Sequence, residues 1–137
     1  MDRKDSEKLI IKPERPKELH GWYLYHQWDI IRKVRTGYRF LFAKTISEAN
    51  IRIGVAHYKD FKGPVEEYVS QHVHEVDQIY LVLAEPGQLK YEVILEDEKF
   101  EIESPVAVYI PAGTRHAERV ISGTGIMMNI LKKGTYP

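Results

Sequence analysis

Three histidines carry the most specific chemistry in this sequence. In Gln71-His72-Val73-His74-Glu75-Val76-Asp77-Gln78, two imidazoles are separated by a single residue. In an extended chain, residues two apart project to the same face, so His72 and His74 point side by side into one interior. That is a metal-ligand spacing. A second piece, Pro111-Ala112-Gly113-Thr114-Arg115-His116, sets a tight turn directly before another histidine at the start of an apolar run. Together the two pieces could supply three neutral nitrogen ligands from separate strands, leaving open positions for a substrate. The chain has no cysteine, so thiolate sites and disulfides are excluded and any metal is held by nitrogen and oxygen.

The elements that must position these groups read as strands. From Tyr38 onward the period is two: Tyr38–Lys44 alternates large residues with others, and Ile51–Tyr58 places Ile51, Ile53, Val55 and His57 on one face. Asp60 to Pro64 reads as a loop, and Tyr68 to His74 as the strand that carries the histidine pair. Gln78–Leu83 is closed by the turn Glu85-Pro86-Gly87-Gln88. Lys90–Leu95 and Lys99–Glu103 form a hairpin across the acidic corner Glu96-Asp97-Glu98. Val106–Ile110, His116–Ile121 and Gly125–Leu131 complete the set. Many short strands at regular spacing, with no long helix after residue 36, indicate an antiparallel sandwich or barrel.

Ahead of the strands, residues 1–36 read as an N-terminal arm and aromatic segment, and residues 37–137 as the barrel. Pro13 and Pro16 keep the arm extended around Leu9-Ile10-Ile11. That apolar triplet could instead pair as an edge strand with another subunit. Gly21–Trp28 holds both tryptophans, a composition suited to packing a barrel end or a subunit interface. His20 and His26 in this region read as surface or interface residues.

Length and charge bound the function. A chain of 137 residues is one domain with room for a core, and 20 basic residues balance 20 acidic ones. A net charge of zero offers no field for nucleic acid or an anionic membrane. The group Arg32, Lys33, Arg35 and Arg39 is too small for a nucleic-acid surface. No apolar run has spanning length, and the charged start from Asp2 to Lys8 is no leader, so the default address is the cytoplasm.

On these residues the chain resembles the cupin superfamily, small jelly-roll β-barrels that carry a metal inside. His72, His74 and Gln78 stand at the places of the first family motif, and Pro111, Gly113 and His116 at those of the second; the resemblance spans roughly residues 38–131. Glu66 and Pro105 replace glycines that usually open the motifs, Gly87 comes slightly late, and Val120 stands where asparagine often closes the second. The consequential departure is Gln78 in place of glutamate. An amide oxygen coordinates a cation without adding negative charge, which leaves a divalent ion more Lewis-acidic and favours an anionic, chelating ligand. Should Gln78 not coordinate, it could orient water or substrate instead.

The resemblance implies an all-β jelly-roll barrel, or double-stranded β-helix, and one divalent transition metal (Fe, Zn, Mn or Ni) at His72, His74, Gln78 and His116. Counting by two from His116 puts Glu118 on the inward face, where desolvation would raise its pKa and suit it to proton transfer. The alternative places Glu118 at the rim beside Arg115 or Arg119. Tyr80 and Tyr109 are candidates either to line a substrate pocket or to pack the core. His57 is either a substrate contact or a buried, hydrogen-bonded residue. The expected function is a metal-dependent enzyme acting on a small oxygenated molecule, by dioxygenase-like or by Lewis-acid isomerase, cyclase or lyase chemistry. A non-catalytic domain that binds or senses a small molecule is the alternative. The barrel is expected to form a homodimer.

Overall fold

The computed structural model describes residues 6–13, 35–41, 45–46, 48–63 and 71–132. Among these, seven strands form one curled antiparallel sheet: β1 (Arg35–Leu41), β2 (Ile51–Lys62), β3 (Gln78–Leu83), β4 (Leu89–Leu95), β5 (Glu98–Glu103), β6 (Val106–Ile110) and β7 (His116–Lys132). The main path runs β1-β2-β7-β3-β6, and β4 pairs with both β5 and β7.

β7 organises the barrel. Its first half pairs with β4 from His116 to Gly123, while its second half lies between β2 and β3. Sequence reading divides this span into two strands, at Ser122 to Thr124. The structure keeps it continuous, because Gly123 and Gly125 adopt φ values of 120° and 150° that let the strand bend from one wall to the other. A Cβ on Gly123 would lie 1.7 Å from the Gln88 carbonyl oxygen, so β4 can start against β7 only at a glycine.

The Asp60–Pro64 loop is also corrected. β2 continues through Lys62 by way of a bulge between Tyr58 and Phe61, with Asp60 at φ 49° and its backbone N–H donating to Thr124 Oγ1 at 2.9 Å. The Glu85–Gln88 turn is present, with the Gln88 N–H donating to the Glu85 carbonyl at 3.0 Å and Gly87 at φ 76°. Ser6 to Leu9 form a single helical turn, and Leu9 and Ile10 are exposed. The Trp22–Trp28 cluster, His20 and His26 lie outside the described residues.

Alternation sorts the side chains into two faces. Tyr80, Val82, Tyr91, Val93, Ile110, Val120, Met127 and Leu131 point inward with Ala56 and Tyr58 of β2. Leu89, Val82, Val93 and Ile110 are essentially removed from water, each contributing roughly 1.5–3 kcal/mol of transfer free energy. The Tyr58 and Tyr91 hydroxyls pair at 2.7 Å, so this polar contact within the core is satisfied.

Candidate metal centre

Backbone pairing brings the histidines together. His72 and His116 exchange two backbone hydrogen bonds, 3.0 Å and 2.9 Å long, as an isolated antiparallel bridge that sets their side chains directly opposite each other. His74 is held by the turn after β6, where the Gly113 N–H donates to its carbonyl at 2.9 Å. That turn closes with the Thr114 N–H on the Pro111 carbonyl, 3.1 Å, and Gly113 takes the φ of 84° that a type II turn needs at its third position. Asp77 fastens the same turn by accepting from the Ala112 N–H at 2.9 Å. Its carboxyl is held below the usual range, chiefly by that bond and then by the Tyr109 hydroxyl. Asp77 therefore positions the histidines from outside and is not among the clustered ligands.

The result is a triad. One ligand nitrogen from each of His72, His74 and His116 lies within 4.8 Å of the others, with ring centroids 4.3–5.0 Å apart. The protonation states favour ligation. Burial, and then the charges of the other two histidines, lowers the His74 pKa to about 3. Burial lowers that of His116 to about 4, against the opposing bond to Thr114. Both imidazoles are thus neutral at pH 7, the state that coordinates a metal.

His116 is also oriented. Its Nδ1 lies 2.9 Å from the Thr114 carbonyl oxygen, which can only accept, so Nδ1 carries the proton and Nε2 presents its lone pair. That Nε2 is buried and has no hydrogen-bond partner. Gln78, 2% exposed, shows the same pattern: its amide nitrogen donates to Asn129 Oδ1 at 2.5 Å, while its Oε1 is buried and unpartnered. A buried imidazole acceptor without a donor, beside two further imidazoles, fits a divalent cation held by nitrogen, and Gln78 Oε1 is a second unpartnered acceptor on the inner wall.

Glu118 faces the interior at 7% exposure and accepts a hydrogen bond from the Tyr80 hydroxyl at 3.0 Å. The two arginines that could have drawn it to the rim are engaged elsewhere, Arg115 with Asp97 and Arg119 with Glu92. Tyr80 is buried, its ring 6.2 Å from that of His116. Two expected pocket residues are placed differently. Tyr109 is 58% exposed, because Val108 and Ile110 take the inward positions of β6. His57 is exposed as well, because the inward residues of β2 are Arg52, Ala56 and Tyr58 rather than the odd-numbered set.

Sequence reading misses Asn129 and Arg52. Asn129 was findable as the one polar residue inside the apolar run from Ile126 to Leu131. Arg52 gave no signal, since both faces of β2 contain apolar residues.

No model of a protein family matches the sequence, and no curated protein matches it. Solved structures do match. The chain is similar to an RmlC-like cupin from Shewanella frigidimarina, with a TM-score of 0.54 and 10% identity over 93% of this chain and 87% of that one. It is similar to the polyketide cyclase RemF from Streptomyces resistomycificus at a TM-score of 0.55 and 15% identity, covering 95% and 78%. It is also similar to KdgF from a Halomonas species, with a TM-score of 0.52 and 18% identity over 73% and 79%. The chain therefore has the cupin fold, an all-β jelly-roll barrel.

Proposed function

We propose that this protein is a metal-dependent enzyme acting on a small oxygenated organic molecule, with His72, His74, His116 and Gln78 holding one divalent transition metal. The single observation that carries this reading is the buried, unpartnered His116 Nε2 within a cluster of three imidazoles. A metal bound there supplies a Lewis acid for a substrate oxygen or, if it is iron, a route to dioxygen chemistry.

The protein's own groups complete the site. All four ligands are neutral, so an anionic chelating substrate is favoured over a neutral one. Glu118 is the proton carrier: its carboxylate sits on the inner face two residues from His116, and the Tyr80 hydroxyl fixes one of its oxygens. A carboxylate held in this way takes a proton from carbon or oxygen of a bound substrate and returns it elsewhere. That role suits isomerase, cyclase or lyase chemistry, and the similarity to a polyketide cyclase supports the same class. We place dioxygenase-like chemistry with iron second, on the strength of the three-histidine set.

The partner is another copy of the chain, in a cytoplasmic homodimer. Support comes from the outer face of the sheet, where Leu83 and Ile126 pair side by side at 42% and 36% exposure beside half-buried Met128, Leu81 and Val55. A monodisperse monomer in sedimentation would contradict the dimer. No helix among the described residues is long and apolar enough to cross a membrane.

The test of the enzymatic reading is proton exchange. Incubation of zinc- or nickel-loaded protein with 1,3-diketones and 2-oxo acids in deuterated water should label the carbon next to the carbonyl, and Glu118→Gln should slow that labelling by roughly 100-fold or more. Equal labelling by the variant would remove Glu118 from the mechanism. Oxygen uptake by the iron-loaded protein, without proton exchange, would favour the second chemistry.

A further inference from the structure

Arg52 is a buried charged group on the inner face of β2 that the proposed metal centre does not use. It is 5% exposed, and β2 directs it inward with Ala56 and Tyr58. Among the described residues no carboxylate lies within ion-pair distance of it. Its Nη1 donates to the carbonyls of Ala49 and Ile51, both at 3.2 Å, which fixes the plane of the guanidinium. The opposite edge, Nε with Nη2, is the planar fork that receives a carboxylate through two parallel bonds. Nε is buried and unpartnered.

Register places Arg52 in one row with Gln78, the proposed fourth ligand. Arg52 pairs with Leu131 of β7, and Leu131 pairs on its other side with Gln78 of β3, so the three residues form one row across the inner wall. Two strand spacings separate Arg52 from Gln78 by about 10 Å of backbone, a gap that an arginine side chain and a short ligand span together. A buried guanidinium without a counter-ion is costly, and its cost is offset when an anion arrives.

We propose that Arg52 anchors a carboxylate of the ligand whose other end is coordinated at the histidine centre, so that the substrate is a small acid carrying a separate chelating group. The inference rests on the proposed metal-dependent function and narrows its substrate class. A carboxylate fits better than a phosphoryl group because one fork, with its third nitrogen already engaged, matches two coplanar oxygens. Arg52 would select and orient the acid, while Glu118 handles the proton.

The test is calorimetry with matched probes. Zinc-loaded protein is titrated with 2-oxoglutarate and with 2-oxoglutaramate, which replaces the distal carboxylate by an amide. The wild type should bind the acid about 10-fold or more tightly than the amide. Arg52→Gln should bind both within about twofold while retaining its zinc, and Arg52→Lys, which keeps the charge and loses the fork, should fall between. Wild-type protein that holds zinc and shows no preference, or an Arg52→Gln variant that keeps the preference, overturns the proposal. Glutarate and glutaramate titrated into metal-free protein separate this claim from the metal reading. A preference for glutarate that Arg52→Gln abolishes supports the arginine site even where zinc is not retained, and its absence there counts against it.

Discussion

Two regions of this barrel treat buried polar groups in opposite ways. Around Tyr58, Tyr91 and Ser104 the polar contacts are closed: the tyrosine hydroxyls bond each other, and Ser104 Oγ donates to the Glu85 carbonyl while accepting from the Leu89 N–H. In the other region, His116 Nε2, Gln78 Oε1 and Arg52 Nε are buried with no partner. The first region is finished by folding. On the proposed reading the second is finished by a bound cation and anion, because buried acceptors and a donor without partners cost free energy until such groups meet them. β7 runs through both, from His116 in the open region past the Gly123 bend.

The contrast can be broken most severely at the ligands. His116→Ala should weaken zinc binding by more than the ~10–100-fold that loss of a supporting hydrogen bond costs, measured by competition with a chromogenic chelator. In the closed region, Leu89→Ala should cost about 2–5 kcal/mol in urea unfolding, since Leu89 is fully enclosed, with zinc stoichiometry unchanged. Tyr80→Phe leaves a carboxylate oxygen of Glu118 without this donor and should cost about 1–3 kcal/mol. At the surface, Arg115→Ala removes an exposed pair with Asp97 and should change stability by no more than about 1 kcal/mol.

pH distinguishes the regions as well. In the metal-free protein, His74 and His116 titrate at about 3 and about 4, below the 6.5 of an unperturbed histidine. Between those values and 6.5 the unfolded chain binds more protons than the folded one. Their contribution to stability is therefore complete above pH 6.5 and declines as pH falls toward 4 and then 3. The urea midpoint of metal-free protein should fall across that window, and His74→Gln should flatten the fall. An unchanged slope in the variant would place the pH dependence elsewhere.

Much of the histidine cluster was legible because its signals are local. A two-residue spacing sets His72 and His74, and a Pro-x-Gly turn sets His116, whatever the distant chain does. Parity left Glu118 between the inner face and the rim, and Tyr80 between pocket and core; the structure buries both and joins them by a hydrogen bond. What failed required knowledge of which face is inner. On β2 the apolar residues Ile51, Ile53 and Val55 suggest one face, yet Ala56 and Tyr58 hold the core, so His57 turns out and Arg52 in. On β6 the alternation Val106, Val108, Ile110 was available to exclude Tyr109. The row Arg52–Leu131–Gln78 was not legible at all, because it depends on the register of three strands distant in sequence. Glycine misled at β7, where it marks a bend in a continuous strand as readily as an end.

Elemental analysis decides whether the three histidines hold a metal. Protein purified without added metal or chelator, run beside His74→Ala, should contain close to one equivalent of iron, zinc, manganese or nickel, and the variant should have lost it. If both proteins are empty and neither can be loaded, the histidine cluster is not a metal site.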